Sequence, residues 1–307
     1  MAYLEDRESY ASYENIKREL KKLNKHLRDK YLDEIDQKLL LAIKESRRSE
    51  YDKRYSEKQK QVSAKTVNHT LSQIRSVLHF SNKIWKWTDS LPEIPLISMN
   101  NFQERQHRVL SKEESKKLID ELPVHLKPIV KLALLTGLRE ANLTGLKWKN
   151  IDIDQSRIQI DGKDFKNRKN FSVPITQEAL SIIKEQYGKH TDYIFTYKGN
   201  RIKKANSYAW RKALDRAGIA PYIPCSYYKP KDISLNYPSR DINDYKFTNF
   251  RFHDLRHTWA SWHVNSGTSL AQLQRLGGWS NYETVLRYAH LDDDPLRESA
   301  KKVSLSF

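Results

Sequence analysis

The stretch Ile129-Val130-Lys131-Leu132-Ala133-Leu134-Leu135-Thr136-Gly137-Leu138-Arg139-Glu140 sets the reading of this chain. Its first ten residues are apolar enough for a buried helix, and the helix ends at Gly137-Leu138-Arg139. An arginine is thus delivered from a core element rather than from a mobile tip.

Upstream, Ser111-Lys112-Glu113-Glu114 marks a fresh helix start: the hydroxyl can cap the first turn and Glu114 can reach back in a capping box. A second domain begins there, and Pro92 and Pro95 forbid helix continuation before it, which places a linker at 91–109. The first hundred residues read as helices. Ile35, Leu39, Leu40 and Ile43 mark one packing face, and Val67, Leu71, Ile74 and Leu78 mark another, with Trp85 and Trp87 closing the run. Residues 44–65 are rich in Lys, Arg, Glu and Ser. They read as a loop or solvated helix end, open to a phosphate backbone or simply to water.

Downstream, Arg157-Ile158-Gln159-Ile160 and Phe171-Ser172-Val173-Pro174 suggest a strand pair whose connection carries Lys163, Lys166, Arg168 and Lys169. Helical patterns resume at 176–187, 205–217, 253–265, 269–276 and 281–289. Residues 219–248 break the pattern, with Pro221, Pro224, Pro230, Pro238 and five tyrosines but no period. This reads as a solvated excursion, with a tyrosine-bearing DNA contact as the alternative. The expected architecture is mainly α with a small β-hairpin or sheet: a helical domain at 1–100 and an α+β domain at 101–307.

Composition narrows the partners. Against 38 acidic residues stand 55 Lys and Arg, a formal charge of +17 on 307 residues, which suits a nucleic-acid partner as well as a plain solvated surface. The single cysteine, Cys225, excludes an intrachain disulfide and a cysteine-rich zinc cluster, and points to a reducing cytosolic or nucleoid setting. The N-terminus carries no apolar signal core, and no run approaches bilayer-spanning length.

Four polar clusters carry the chemistry: Thr136-Gly137-Leu138-Arg139-Glu140, His253-Asp254-Leu255-Arg256-His257, Leu276-Gly277-Gly278-Trp279 and Leu286-Arg287-Tyr288-Ala289-His290. Two arginines can hold one phosphate, and a tyrosine beside it can attack and carry the broken strand as a covalent ester. Each cluster alone also fits a helix end or a packed surface; the order of all four is harder to obtain by accident. His253 and His257 lie four apart, as metal ligands do, but no Glu follows His253 and no acid or cysteine has matching spacing, which argues against zinc.

With these motifs the chain, over residues 111–291, resembles the tyrosine recombinases, the group of phage integrases and Xer-type recombinases. The resemblance implies an N-terminal core-binding domain and a C-terminal catalytic domain that clamp double-stranded DNA. It implies a site of Arg139, His253, Arg256, Trp279 and Tyr288. It adds a hairpin lysine, best matched by Lys166 eight residues before Pro174, with Lys163 and Lys169 as fallbacks. Tyr288 would form a 3′-phosphotyrosyl bond, the arginines would grip the phosphate, Lys166 would protonate the leaving 5′ oxygen, and His253 would act as acid or base. Trp279 would donate its indole N–H or pack the nucleophile's helix.

The resemblance further implies four protomers on two duplexes, accessory directionality or DNA-bending proteins, and no metal or nucleotide cofactor. The expected location is the bacterial cytoplasm or nucleoid, or the host cytoplasm for a phage protein. Integration or excision of a phage or other mobile element is the favoured role. Xer-like resolution, a topoisomerase and a regulator with a decayed site are the rivals. Two departures stand out: the acid usual three positions after the first arginine is Asn142 here, leaving Glu140 as a substitute or a bystander, and the 219–248 excursion precedes the His-x-x-Arg helix. The tail 296–307, with Val303, Leu305 and Phe307, would dock on a neighbouring protomer or pack in cis.

Overall fold

The computed structural model describes residues 2–10, 12–52, 61–98, 108–162, 170–222 and 241–289. Contacts divide the chain into two compact units, residues 1–105 and 106–307.

The first unit is helical: α1 (Ala2–Asp6), α2 (Tyr13–Leu27), α3 (Gln37–Ser49) and α4 (Ala64–Lys83). Asp36 and Ser63 cap α3 and α4 by accepting from the backbone N–H of Leu39 and Thr66, which satisfies donors that a helix start leaves orphaned. Both expected faces meet in one core, where Leu23, Leu40, Ile43, Val67, Leu71, Ile74 and Leu78 are buried. Each such side chain contributes about 1.5–3 kcal/mol of burial.

Two expectations change here. Leu91, Ile94 and Ile97 pack on this core, and Asn68 of α4 clasps the Ile97 backbone through two 2.8 Å bonds. The part of the expected linker from 91 to 98 is therefore structured. The polar stretch after residue 44 is also not uniformly solvated. Arg47 is buried, donates to Thr70 Oγ1 at 3.3 Å and pairs with Glu50, so its charge serves the fold.

The second unit begins with α5 (Lys112–Glu121), whose Ser111–Glu114 capping box forms as the sequence predicts. Next is α6 (Lys127–Thr136), the buried helix of the opening stretch; it packs against α10 (Asp254–Asn265) and α8 (Gln177–Lys184). A short α7 (Glu140–Thr144) follows, then strands β1 (Ile151–Asp152), β2 (Arg157–Ile160) and β3 (Phe171–Pro174) in an antiparallel sheet ordered β1-β2-β3. Ile158 pairs with Val173, and this pairing turns both into the core. Asn170 accepts from the Gly162 N–H at 2.9 Å across the base of the hairpin, while the connection itself, with Lys163, Lys166 and Lys169, lies outside the described residues.

Strands β4 (Thr196–Tyr197) and β5 (Asn200–Arg201) pair with each other. They are followed by α9 (Tyr208–Arg216), α10, α11 (Leu270–Gly277) and α12 (Glu283–Leu286). The excursion is shorter than 219–248: Ile219, Ala220, Tyr222 and Tyr245 are buried, and Phe247 N–H donates to the Ile219 carbonyl at 3.0 Å. Buried Asp215 of α9 accepts from the Tyr245 hydroxyl and from the Tyr222 N–H at 3.3 Å, closing a neck beneath the segment. Residues 223–240, Cys225 among them, lie outside the described residues, as does the tail 296–307. No helix among the described residues is long and apolar enough to cross a membrane.

Candidate active site

Three chain segments meet at Arg256. Helix α6 ends at Gly137 in the left-handed conformation (φ 62°), which tips its carbonyl out of the helix. No other residue type fits there, because a Cβ on Gly137 would stand 2.2 Å from the Trp259 ring of α10. The reversal places Arg139 at the N-cap of α7. Glu140, next along, accepts from the N–H groups of Ala205 and Asn206 at 2.7 and 2.8 Å. Glu140 thereby ties α7 to the segment before α9, while Asn142 is buried.

The start of α10 is fixed just as firmly. Buried Asp254 accepts from the Arg251 N–H at 2.8 Å and lies 3.7 Å from the Arg108 guanidinium. Thr258 accepts from the Leu110 N–H at 3.2 Å. In the first turn of the helix, Arg256 donates from Nη1 to the Gly137 carbonyl at 2.7 Å and from Nη2 to the Gly277 carbonyl at 2.6 Å. Gly277 closes α11, and Gly278 after it is again left-handed (φ 61°), so the chain turns back and lays Trp279 over the guanidinium, 4.0 Å from ring centre to Cζ.

Tyr288 completes the cluster from a turn two residues beyond α12. The expected helix 281–289 is shorter, because only Glu283–Leu286 close regular helical turns. The Tyr288 ring is buried among Trp259, Val264, Leu273 and Val285, with Trp279 packed against the group. Its hydroxyl lies 2.6 Å from Nδ1 of His257.

Electrostatics tie the parts together. Burial, and next the charge of Arg139, lowers the Arg256 pKa to about 9, so the guanidinium remains charged at neutral pH. Burial pushes Tyr288 up to about 12, with the positive charge of Arg256 opposing. His253 keeps an edge open to solvent at the start of α10, yet the packed protein around it, and then Arg256, hold its imidazole below the ordinary range. Arg139 contributes to that field as well. At neutral pH the site therefore holds two cations, a neutral imidazole and a protonated phenol. A groove of about 880 Å³ runs alongside, bounded by Arg157 and Ser172 of the sheet, Gln272 and Arg275 of α11, and Trp279.

The structure thus draws Arg139, His253, Arg256, Trp279 and Tyr288 into one place, with Lys166 outside the described residues. His257 was not among the expected site residues. In the sequence it closes the His253–His257 cluster, and its four-residue spacing from His253 suggests metal ligation rather than a bond to Tyr288.

A buried tyrosine, a pair of guanidinium groups and a neutral histidine on a helical scaffold form a site able to hold a phosphate beside a phenol, and comparison with known proteins gives the chain a family. The phage integrase family model matches residues 107–294, more than half of the chain. The chain belongs to the phage integrase family. It is 34% identical over 251 residues to the integrase of Salmonella phage P22, a match covering 77% of this chain and 57% of that protein. It is 26% identical to the integrase of Escherichia phage 186, over 87% of this chain and 68% of that one. The chain therefore spans little more than half the length of the P22 protein. In fold it is similar to a lambda integrase dimer bound to a core site (TM-score 0.61, 16% identity, 95% of this chain and 93% of that chain). It is also similar to the Tn1549 transposon integrase in complex with transposon right end DNA (TM-score 0.59, 16% identity, 94% and 93%).

Proposed function

We propose that this chain is a site-specific DNA recombinase of the integrase type, which cuts and rejoins duplex DNA through a 3′-phosphotyrosyl intermediate and serves the integration or excision of a mobile element. The observation that carries this reading is the clamping of Arg256 between the Gly137 and Gly277 carbonyls, within the field of Arg139 and beside Tyr288. The similarity to the P22 integrase over 77% of the chain favours integration over Xer-like resolution.

A guanidinium carries five N–H donors in a plane, so Arg256 can spend one from each terminal nitrogen on carbonyls and still present others to a phosphate. Arg139 and Arg256 hold the non-bridging oxygens and stabilise the charge that grows on them in the pentacoordinate transition state. Tyr288 attacks phosphorus, and the 5′ oxygen departs with a proton supplied by the hairpin lysine, for which Lys166 is the best match. His253, neutral at the rim, donates its ring N–H to a phosphate oxygen. The ester keeps the energy of the broken bond, so rejoining needs no ATP.

The net charge of +17 supplies the salt-sensitive part of duplex affinity. Four protomers on two duplexes complete an exchange, with accessory directionality or DNA-bending proteins setting its direction, in the cytoplasm where such DNA lies. The test is incubation with nicked suicide substrates carrying candidate attachment sites. The reading expects a covalent protein–DNA adduct that Tyr288→Phe eliminates; an adduct that persists in Tyr288→Phe, or none on any site that the protein binds specifically, contradicts it.

A further inference from the structure

The two histidines of the α10 motif do different things. The phenol of Tyr288 is bonded to His257, not to His253: the Tyr288 oxygen lies 2.6 Å from His257 Nδ1, and the His253 ring stands edge-on to His257 with centres 5.2 Å apart. His257 sits half-buried between the open His253 and the buried Tyr288. We propose that His257 is the base that takes the phenolic proton when Tyr288 attacks, and that it returns the proton when the strand is rejoined. This assignment rests on the phosphotyrosyl reading given above.

The need for such a base follows from the surroundings of the tyrosine. A phenol shielded from water among Trp259, Val264, Leu273 and Val285 cannot pass its proton to bulk solvent. His257 lies within hydrogen-bond reach of its oxygen. The 2.6 Å contact lets the hydroxyl donate to the lone pair on Nδ1 in the tautomer protonated at Nε2. In the step, the O–H bond of Tyr288 breaks as its proton passes to His257 Nδ1, and the phenolic oxygen forms the bond to phosphorus. The P–O5′ bond breaks with its electron pair leaving on the 5′ oxygen, which takes a proton from the acid at the leaving group. His257 becomes an imidazolium. It faces His253 and Tyr288 and follows the cationic Arg256 in the chain, and the negative charge developing on the phosphate opposes that repulsion. His253, with its edge exposed, is left to serve the phosphate itself.

The experiment compares unsubstituted protein, His257→Asn and His257→Ala in single-turnover cleavage of a suicide substrate, with core-site binding measured alongside. Asparagine can place an amide near the position of Nδ1 and hold the phenol by a hydrogen bond, but it cannot take a proton. The expected result is normal DNA binding with cleavage slowed about 10²–10³-fold in both variants. Added imidazole should partly restore the alanine variant. As a second readout, a more acidic fluorinated tyrosine incorporated at position 288 should shrink the asparagine defect, since a weaker base then suffices; a merely structural defect would not respond. Adduct formation by His257→Asn within a few-fold of the unsubstituted protein overturns the assignment and leaves the recombinase reading intact. A defect that is insensitive to both imidazole and the fluorinated phenol also overturns it. Absence of any adduct with the unsubstituted protein overturns both readings.

Discussion

The guanidinium of Arg256 lies over the ring of Trp279, its Cζ 4.0 Å from the ring centre. With one face covered by the indole and two edges tied to the carbonyls of Gly137 and Gly277, its plane is fixed before any substrate arrives. Such preorganisation is what lets a cation act on a developing charge without reorganising at the moment of reaction.

Replacing Arg256 by lysine keeps the charge and loses the fork. A lysine ammonium is compact and cannot serve two carbonyls, an indole face and a phosphate from one plane. Arg256→Lys should lower cleavage by about 10²–10³-fold. It should also cost about 3 kcal/mol of stability, since two charge-assisted bonds at a buried site are lost or distorted. Single-turnover cleavage and urea unfolding check the two effects separately.

Gly137→Ala should damage fold and site together. The new methyl would stand 2.2 Å from Trp259 in a backbone conformation at φ 62° that disfavours side chains. A loss of about 2–4 kcal/mol is expected in equilibrium unfolding. Cleavage should drop as well, because the carbonyl that holds Arg256 moves.

The buried phenol gives an alkaline signature. Tyr288 ionises at about 12 in the folded protein against an ordinary 10.0. A proton held more tightly in the folded state stabilises the fold at pH values below the unfolded pKa, and that contribution is lost as pH rises from about 10 through about 12. The difference corresponds to about 2–3 kcal/mol. Tyr288→Phe should therefore lose less stability than the unsubstituted protein over this window, as measured by denaturant unfolding at several alkaline pH values; parallel curves would show that the phenol is not shielded.

The neck beneath the 223–240 segment gives a prediction away from the site. Tyr245→Phe removes a donor from the buried carboxylate of Asp215 and should destabilise the second unit by about 1–3 kcal/mol, read from thermal or urea unfolding. No change would mean that this carboxylate is served by other groups.

Local patterns were legible in the sequence. The apolar run of α6 and its glycine stop, the Ser111–Glu114 box, the pairing of β2 with β3 and the two faces of the first core all follow from short-range periodicity and capping chemistry. That Arg139, His253, Arg256, Trp279 and Tyr288 lie together in space was anticipated only through the resemblance to the tyrosine recombinases.

What stayed hidden depends on contacts between distant segments. Glu140 reaches backbone donors 65 and 66 positions away, Arg256 accepts its place from a carbonyl 119 positions back, and His257 meets Tyr288 across 31 residues. No periodicity encodes such pairs. Arg47 looked like one more surface cation because nothing near it in sequence announces Thr70 or the burial around it. The helix expected at 281–289 ended early because an apolar pattern continues through a turn as readily as through a helix; Tyr288 is held by packing and by His257 instead.

The most direct measurement is to digest the covalent protein–DNA adduct and locate the phosphotyrosine by mass spectrometry. With 17 tyrosines in the chain, the assignment is selective. The account predicts a single modified peptide carrying the nucleotide on Tyr288; a nucleotide on any other tyrosine would contradict the convergence of this phenol with Arg139 and Arg256 on one phosphate.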